Sequence, residues 1–181
     1  LKWQSKWKKD KIFEVEIDSS KKKYYVLEMY PYPSGKMHMG HLRNYTNGDS
    51  FARFQRMNGF NVIYTMGFDS FGLPAEIAAI KKGTPPEEFT KKNIVSFTAD
   101  LKRIGYSYDW RRGVSSMDPN YYRWNQWFFL KMHEKGLAYR KESLVNWCPG
   151  CNSVLANEQV ISGKCWRCSA VVKPKFLSQW F

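Results

Sequence analysis

No apolar run in this 181-residue sequence approaches the roughly 20 residues needed to span a bilayer, so a transmembrane helix is excluded. Acidic residues are scarce: 16 Asp and Glu stand against 29 Lys and Arg, a formal charge of +13. Histidine is scarcer, three in all, and two of them lie three positions apart. Low-complexity stretches are absent, and no repeat is apparent beyond two short cysteine pairs. A content of 43% hydrophobic and 17% aromatic residues excludes a disordered or collagen-like chain. The lysine-rich opening up to Asp10 has no long apolar stretch behind it, so it does not read as a secretory signal, and a cytoplasmic location is expected. The first residue is Leu, not Met, so a processed chain or a piece of a longer one is expected.

The basic excess favours a polyanionic partner, because each neutralised phosphate releases condensed counterions. No basic amphipathic helix dominates, so a membrane partner is not expected. The only cysteines are Cys148, Cys151, Cys165 and Cys168, two C-x2-C pairs separated by thirteen residues. Two such turns can aim four thiolates at one point, which suits a structural, tetrahedral zinc ion. Two disulfides are the alternative, but a reducing cytosol disfavours them. Four thiolates leave no open position for catalysis at the metal.

Along the chain, residues 2–13 set Trp3, Trp7 and Phe13 at near-helical spacing. Residues 24–30 are a β-rich run fit for a buried strand, stopped by Pro31, Pro33 and Gly35. A helix is expected from His38 or Gly40 to Met57, then a strand from Asn61 to Met66 closed by Gly67. Strand, helix, strand over some forty residues reads as a right-handed βαβ crossover. Helices are further expected at Pro74–Lys82, Pro86–Arg103 and from Pro119 to Gly136. In the last, Tyr121, Trp124, Phe128 and Met132 form a stripe that reads as core packing. Beyond Leu137 the pattern turns to short strands around the cysteines.

The segment with chemical content is Met29-Tyr30-Pro31-Tyr32-Pro33-Ser34-Gly35-Lys36-Met37-His38-Met39-Gly40-His41. Here a strand ends, a turn follows, and two histidines open a helix. Ligands of open parallel sheets sit beyond the carboxyl ends of the strands. A helix N-terminus offers unpaired N–H groups to an anion. His38 and His41 share one side of the first turn, so both rings can face one phosphate. Gly40 leaves room for a base or ribose to approach the backbone.

His38-Met39-Gly40-His41, after Pro31-Tyr32-Pro33-Ser34-Gly35, resembles the HIGH motif of class I aminoacyl-tRNA synthetases. Gly67-Phe68-Asp69-Ser70-Phe71-Gly72-Leu73-Pro74-Ala75-Glu76, Tyr121-Tyr122-Arg123-Trp124, Val145-Asn146-Trp147-Cys148-Pro149 and Leu155-Ala156-Asn157-Glu158-Gln159-Val160 are similar to the bacterial-type leucyl-tRNA synthetases. The isoleucyl, valyl and methionyl families usually differ around Asp69. The resemblance runs nearly from end to end.

It implies an α/β fold: the first half of a Rossmann-like parallel-sheet nucleotide-binding domain (1–142), a four-cysteine zinc-ribbon-like insertion (143–173) and a return segment (174–181). It implies a leucine–tRNA ligase using ATP with magnesium, leucine and the acceptor end of tRNA(Leu). His38 and His41 take the catalytic role. Pro31, Tyr32, His38, Gly40 and His41 contact ATP. Met29, Tyr30, Tyr32 and Asp69 contact leucine, Asp69 through its ammonium group. Phe68 stands where the family usually has Trp. No KMSKS-like run occurs, so the remainder of the synthetase, as polypeptide or complementary subunit, is an expected partner, and the 181 residues alone are expected to be weakly active or inactive. A basic zinc-ribbon module that only binds nucleic acid is the alternative, but it leaves the histidine pair and Asp69 without a role. A nucleotidyltransferase sharing the H-x-G-H turn is a third reading, opposed by the length of the match.

Overall fold

The computed structural model describes residues 2–181. Its elements are α1 (Lys2–Asp10), β1 (Lys23–Val26), α2 (Met39–Met57), β2 (Asn61–Tyr64), β3 (Gly67–Phe68), α3 (Leu73–Lys82), α4 (Pro86–Ile104), β4 (Val114–Ser115), α5 (Pro119–Glu134), β5 (Arg140–Cys148), β6 (Ser153–Leu155), β7 (Val160–Ile161), β8 (Lys164–Cys165) and β9 (Lys173–Trp180). The chain divides into two compact units, residues 1–123 and 124–181.

In the first unit β1 and β2 pair in parallel, Val26 opposite Tyr64, with α2 as the crossover. The helix ends where Asn58 donates to the Phe54 carbonyl and Gly59, at φ +82°, donates to that of Arg56. Backbone bonds from Asp109 to Tyr64, Val114 to Met66 and Ser116 to Phe68 lay the segment after α4 along β2 and β3, which pairs in parallel with β4. Three strand ends therefore point the same way: residues 29–32, 66–70 and 115–118. One face of this sheet carries the core, with Val26, Val62 and Tyr64 packed with Tyr45 and Ala52 of α2 and Phe97 and Leu101 of α4. Burying such side chains contributes about 1.5–3 kcal/mol each.

Two buried carboxylates fix the segment after α4. Asp49 accepts from the Ser107 amide at 2.6 Å and from Arg53 at 2.7 Å, while Arg56 donates to the Ser107 hydroxyl. Asp109 accepts from the Val15 amide and from Arg111. Burial pushes the Asp109 carboxyl up, but its bonds from Arg111 and the Val15 amide outweigh this and hold it below the ordinary value.

Two expectations need correction. The run 24–30 pairs only as far as Val26, and its alternate residues Tyr25 and Leu27 are exposed, as is Ile63 beside them. The strand thus buries one face, not both. The α5 stripe is not core: Tyr121, Trp124, Phe128 and Met132 are all exposed, and no residue of α5 is buried. Trp127, Phe129 and Leu130 make the helix apolar on several sides, so helical periodicity alone could not say which face is covered.

In the second unit β5 pairs antiparallel with β6 and, from Arg140 to Trp147, with β9. The Trp180 ring closes edge-on against Phe129 of α5, with centroids 5.0 Å apart. A small core of Cys148, Leu155 and Cys165 lies at the far end of this sheet.

Candidate active site and zinc cluster

His38 is the N-cap of α2, with extended backbone (φ −131°, ψ 173°). Its Nδ1 accepts from the Gly40 amide at 3.1 Å, and the Nδ1 of His41 accepts from the His38 amide at 3.3 Å. This is a reciprocal cap built from two imidazoles in place of the usual hydroxyl and carboxamide. The rings stack with centroids 3.8 Å apart and planes 24° from parallel. His41 continues the stack onto Tyr45 and meets Phe97 edge-on at 5.1 Å.

An Nδ1 that accepts a hydrogen bond leaves the proton of the neutral ring on Nε2. Both imidazoles are thereby set to donate through Nε2–H. Burial, and then the neighbouring His38, push the His41 pKa below its ordinary value, which favours the neutral ring. The expectation of bare helix amides is corrected in part: the Gly40 amide is occupied by His38. Gly40 also has a local reason. A Cβ there would lie 3.0 Å from Cε1 and Nδ1 of the His38 ring.

The remaining site residues gather at the same strand ends. The Asp69 amide donates to the Pro31 carbonyl at 3.0 Å, fastening the turn after β3 to the segment after β1. The Tyr30 ring lies against the bare Cα of Gly67. Met29 and Tyr32 are 78% and 52% exposed, open to a ligand. Pro31 is buried and shapes the backbone. Sequence reasoning missed Ser116. Its hydroxyl accepts from the amides of Ser70 (2.7 Å) and Phe71 (3.2 Å) and reaches Asp69 Oδ1 at 3.5 Å. With both backbone donors on its oxygen, its proton is directed to the Asp69 carboxylate. Its partner lies 47 positions away in sequence, so no local pattern marked it. A cavity of about 410 Å³ beside Trp7, Phe13 and Trp110 contains none of these residues.

In the second unit the ligand atoms of Cys148, Cys151, Cys165 and Cys168 all lie within 4.8 Å of one another. Cys148 and Cys168 are 3.4 Å apart and Cys151 and Cys165 are 3.9 Å apart, too far for disulfides. A tetrahedron with Zn–S bonds of about 2.3 Å has edges of about 3.8 Å, so the four sulfurs fit zinc. The amides of Cys151 and Arg167 donate to the sulfurs of Cys148 and Cys165, as thiolate charge requires.

A leucine–tRNA ligase of Nitratidesulfovibrio vulgaris (strain DP4) is 59% identical over 180 residues, covering 99% of this chain and 22% of its own length. One from Oleidesulfovibrio alaskensis is 61% identical with the same coverage. The chain thus spans about a fifth of the length of these curated relatives. The solved ternary complex of an Agrobacterium radiobacter K84 leucyl-tRNA synthetase with tRNA and LeuAMS matches with a TM-score of 0.93 and 46% identity, covering 99% of this chain and 23% of that one. A Mycobacterium tuberculosis methionyl-tRNA synthetase, 21% identical with a TM-score of 0.71 over 88% of this chain and 32% of that one, shares the fold. The model of the tRNA synthetases class I (I, L, M and V) matches residues 2–181, so the chain, with its Rossmann-like parallel sheet and imidazole-capped helix, belongs to that family.

Proposed function

We propose that these residues form the amino-terminal catalytic portion of a leucine–tRNA ligase that activates leucine with ATP and passes it to the acceptor end of tRNA(Leu). The observation that carries the chemistry is the stacked imidazole pair, Nδ1 atoms capped by backbone amides, at the carboxyl ends of the strands. The choice of leucine rests on similarity to the leucine enzymes over nearly every residue.

In the first step a leucine carboxylate oxygen attacks the α-phosphorus of ATP, an O–P bond forms, and the bond to the β-phosphate oxygen breaks to release pyrophosphate. The attacking carboxylate is already ionised, so no base is needed. Catalysis is positioning and stabilisation of charge growing on phosphate oxygens. His38 and His41 supply the Nε2–H donors for those oxygens. Pro31, Tyr32 and Gly40 border the nucleotide. Asp69, steadied by Ser116 and the Pro31 carbonyl, pairs with the leucine ammonium in a charge-assisted bond. Met29, Tyr30 and Tyr32 form the side-chain pocket. Magnesium would accompany ATP and offset its phosphate charge.

The zinc cluster is structural and organises residues 143–173 as an insertion between residues 1–142 and a return segment at 174–181. The remainder of the synthetase supplies the other nucleotide contacts. A reducing cytoplasm would keep the thiols free for the metal; no described helix is long and apolar enough to cross a membrane. The test is ATP–pyrophosphate exchange in the full-length ligase. Exchange should depend on leucine and favour it over isoleucine, and equal exchange with both amino acids would overturn the leucine assignment.

A further inference from the structure

Glu28, between β1 and the leucine pocket, has no role in the chemistry above, yet it is the hub of a polar cluster under the histidines. Its Oε2 accepts from the hydroxyls of Tyr64 and Tyr108, both at 2.7 Å. Burial pushes the pKa of each tyrosine well above the ordinary value, so both hydroxyls keep their protons and donate. Its Oε1 is buried against the backbone of α2 at Gly48, whose amide it approaches and where a Cβ would collide with the carboxylate. The cluster continues upward. The Tyr64 hydroxyl also approaches the Tyr45 carbonyl at 3.4 Å. The Tyr45 hydroxyl donates to the Met29 carbonyl at 3.3 Å, and its ring lies parallel to His41, 6° apart in plane.

Burying a carboxylate is costly unless its hydrogen bonds fix something. Here it joins the exit of β1 to β2, the middle of α2 and the segment after α4. Those segments set the height of α2 against the strand end, hence the distance from His41 to Met29 and Tyr30. We infer that Glu28 is a positioning residue for amino-acid activation, holding the His41 donor in register with the strand-end residues through Tyr64, Tyr108, Gly48 and Tyr45. This rests on the ligase reading. Glu28 touches no substrate, so its loss should act on the transition state and lower kcat while leaving the KM for ATP within about threefold.

The test is leucine-dependent pyrophosphate exchange in the full-length ligase, at least 20 °C below each variant's Tm. Glu28→Ala should lower kcat at least tenfold. Glu28→Gln, which keeps an oxygen to accept from both tyrosines, should stay within threefold of the parent. Gly48→Ala should reproduce the loss in the parent background but add nothing to Glu28→Ala, because its methyl then occupies vacated space. If Glu28→Ala does not fold, Tyr108→Phe supplies the reading through a several-fold loss of kcat with the KM for ATP unchanged. A Glu28→Ala enzyme with lowered Tm but kcat within twofold overturns the inference, as does a Gln variant as slow as the Ala variant. A parent without leucine-dependent exchange instead overturns the ligase reading itself.

Discussion

Gly40→Ala separates the catalytic use of the histidine cap from its contribution to stability. The added Cβ would sit 3.0 Å from the Cε1 and Nδ1 atoms of His38, tighter than most carbon contacts, so the ring must give by a few tenths of an ångström. That shift lengthens and weakens the 3.1 Å bond from the Gly40 amide. Losing a cap costs about 0.5–2 kcal/mol, while Gly to Ala in a helix gains up to about 1 kcal/mol, so the two nearly cancel. Catalysis has no such compensation. A donor misplaced by a fraction of an ångström weakens its hold on the phosphate oxygens by about 1.4–2.7 kcal/mol, a 10–100-fold loss in kcat. Pyrophosphate exchange in the full-length ligase, read beside thermal unfolding, should give a strongly lowered kcat with a Tm within a few degrees of the parent. His38→Ala provides the control: adding Gly40→Ala to it should change little, because the residue through which the methyl acts is gone. Exchange within twofold of the parent, or additive losses in the double variant, would refute the argument.

In His41→Asn the carboxamide oxygen can still accept from the His38 amide, so the helix should keep its cap while exchange falls about 10²–10³-fold with the lost Nε2–H; unchanged exchange removes His41 from the chemistry. His41 also bears on acid stability. Its folded pKa lies below the ordinary 6.5, so its contribution is full above pH 6.5 and is lost as pH falls through the folded value. A Tm series from pH 7.5 to 5 should therefore flatten in His41→Asn, and parallel curves would contradict the assignment. Glu28 has the opposite sign. Burial pushes its pKa up against the hydroxyls of Tyr108 and Tyr64, so stability falls as pH rises from 4.5 through the raised value; Glu28→Gln should remove that decline in thermal unfolding. For the cysteine cluster, elemental analysis should give one zinc per chain. A chelator should abolish amide protection in β6, β7 and β8 while sparing α2, and a metal-free reducing preparation with intact protection would exclude a structural zinc.

Much of the secondary structure was legible because its signals are local. The bounds of α2, α3 and α4 follow from Asn58-Gly59, Pro74, Pro86 and Gly105, and the structure differs from the expected ends by a residue or so. The cysteine spacing likewise announced a four-sulfur cluster, since each C-x2-C turn brings its own pair together. Side-chain ties across the sheet were not legible. Ser116 meets Asp69, and Tyr108 meets Glu28 over 80 positions, only because the segment after α4 lies along β2 and β3. Nor could the α5 stripe be read. Periodicity identifies an amphipathic face, but whether that face is covered depends on a neighbour the helix itself does not encode.

The imidazole cap also decides how charge enters the site. A bare helix N-terminus presents roughly half a positive charge whatever the pH. Here the Gly40 amide is spent on His38, and His41 is held neutral by burial and by its neighbour. In the proposed reaction His41 thus offers direction rather than net charge, donating to oxygens as they become negative without binding the ground-state phosphate as tightly as a cation would. Such an arrangement favours the transition state over the substrate, which is the condition for raising kcat rather than only lowering KM. Protonating His41 should reverse the balance. In acid the site should hold ATP more tightly while its turnover gains less, so the KM for ATP should fall before kcat does as pH drops below 6.5. A KM for ATP that rises together with a falling kcat over that range would mean that the ring acts as a neutral acceptor, and the Nε2–H assignment would be wrong.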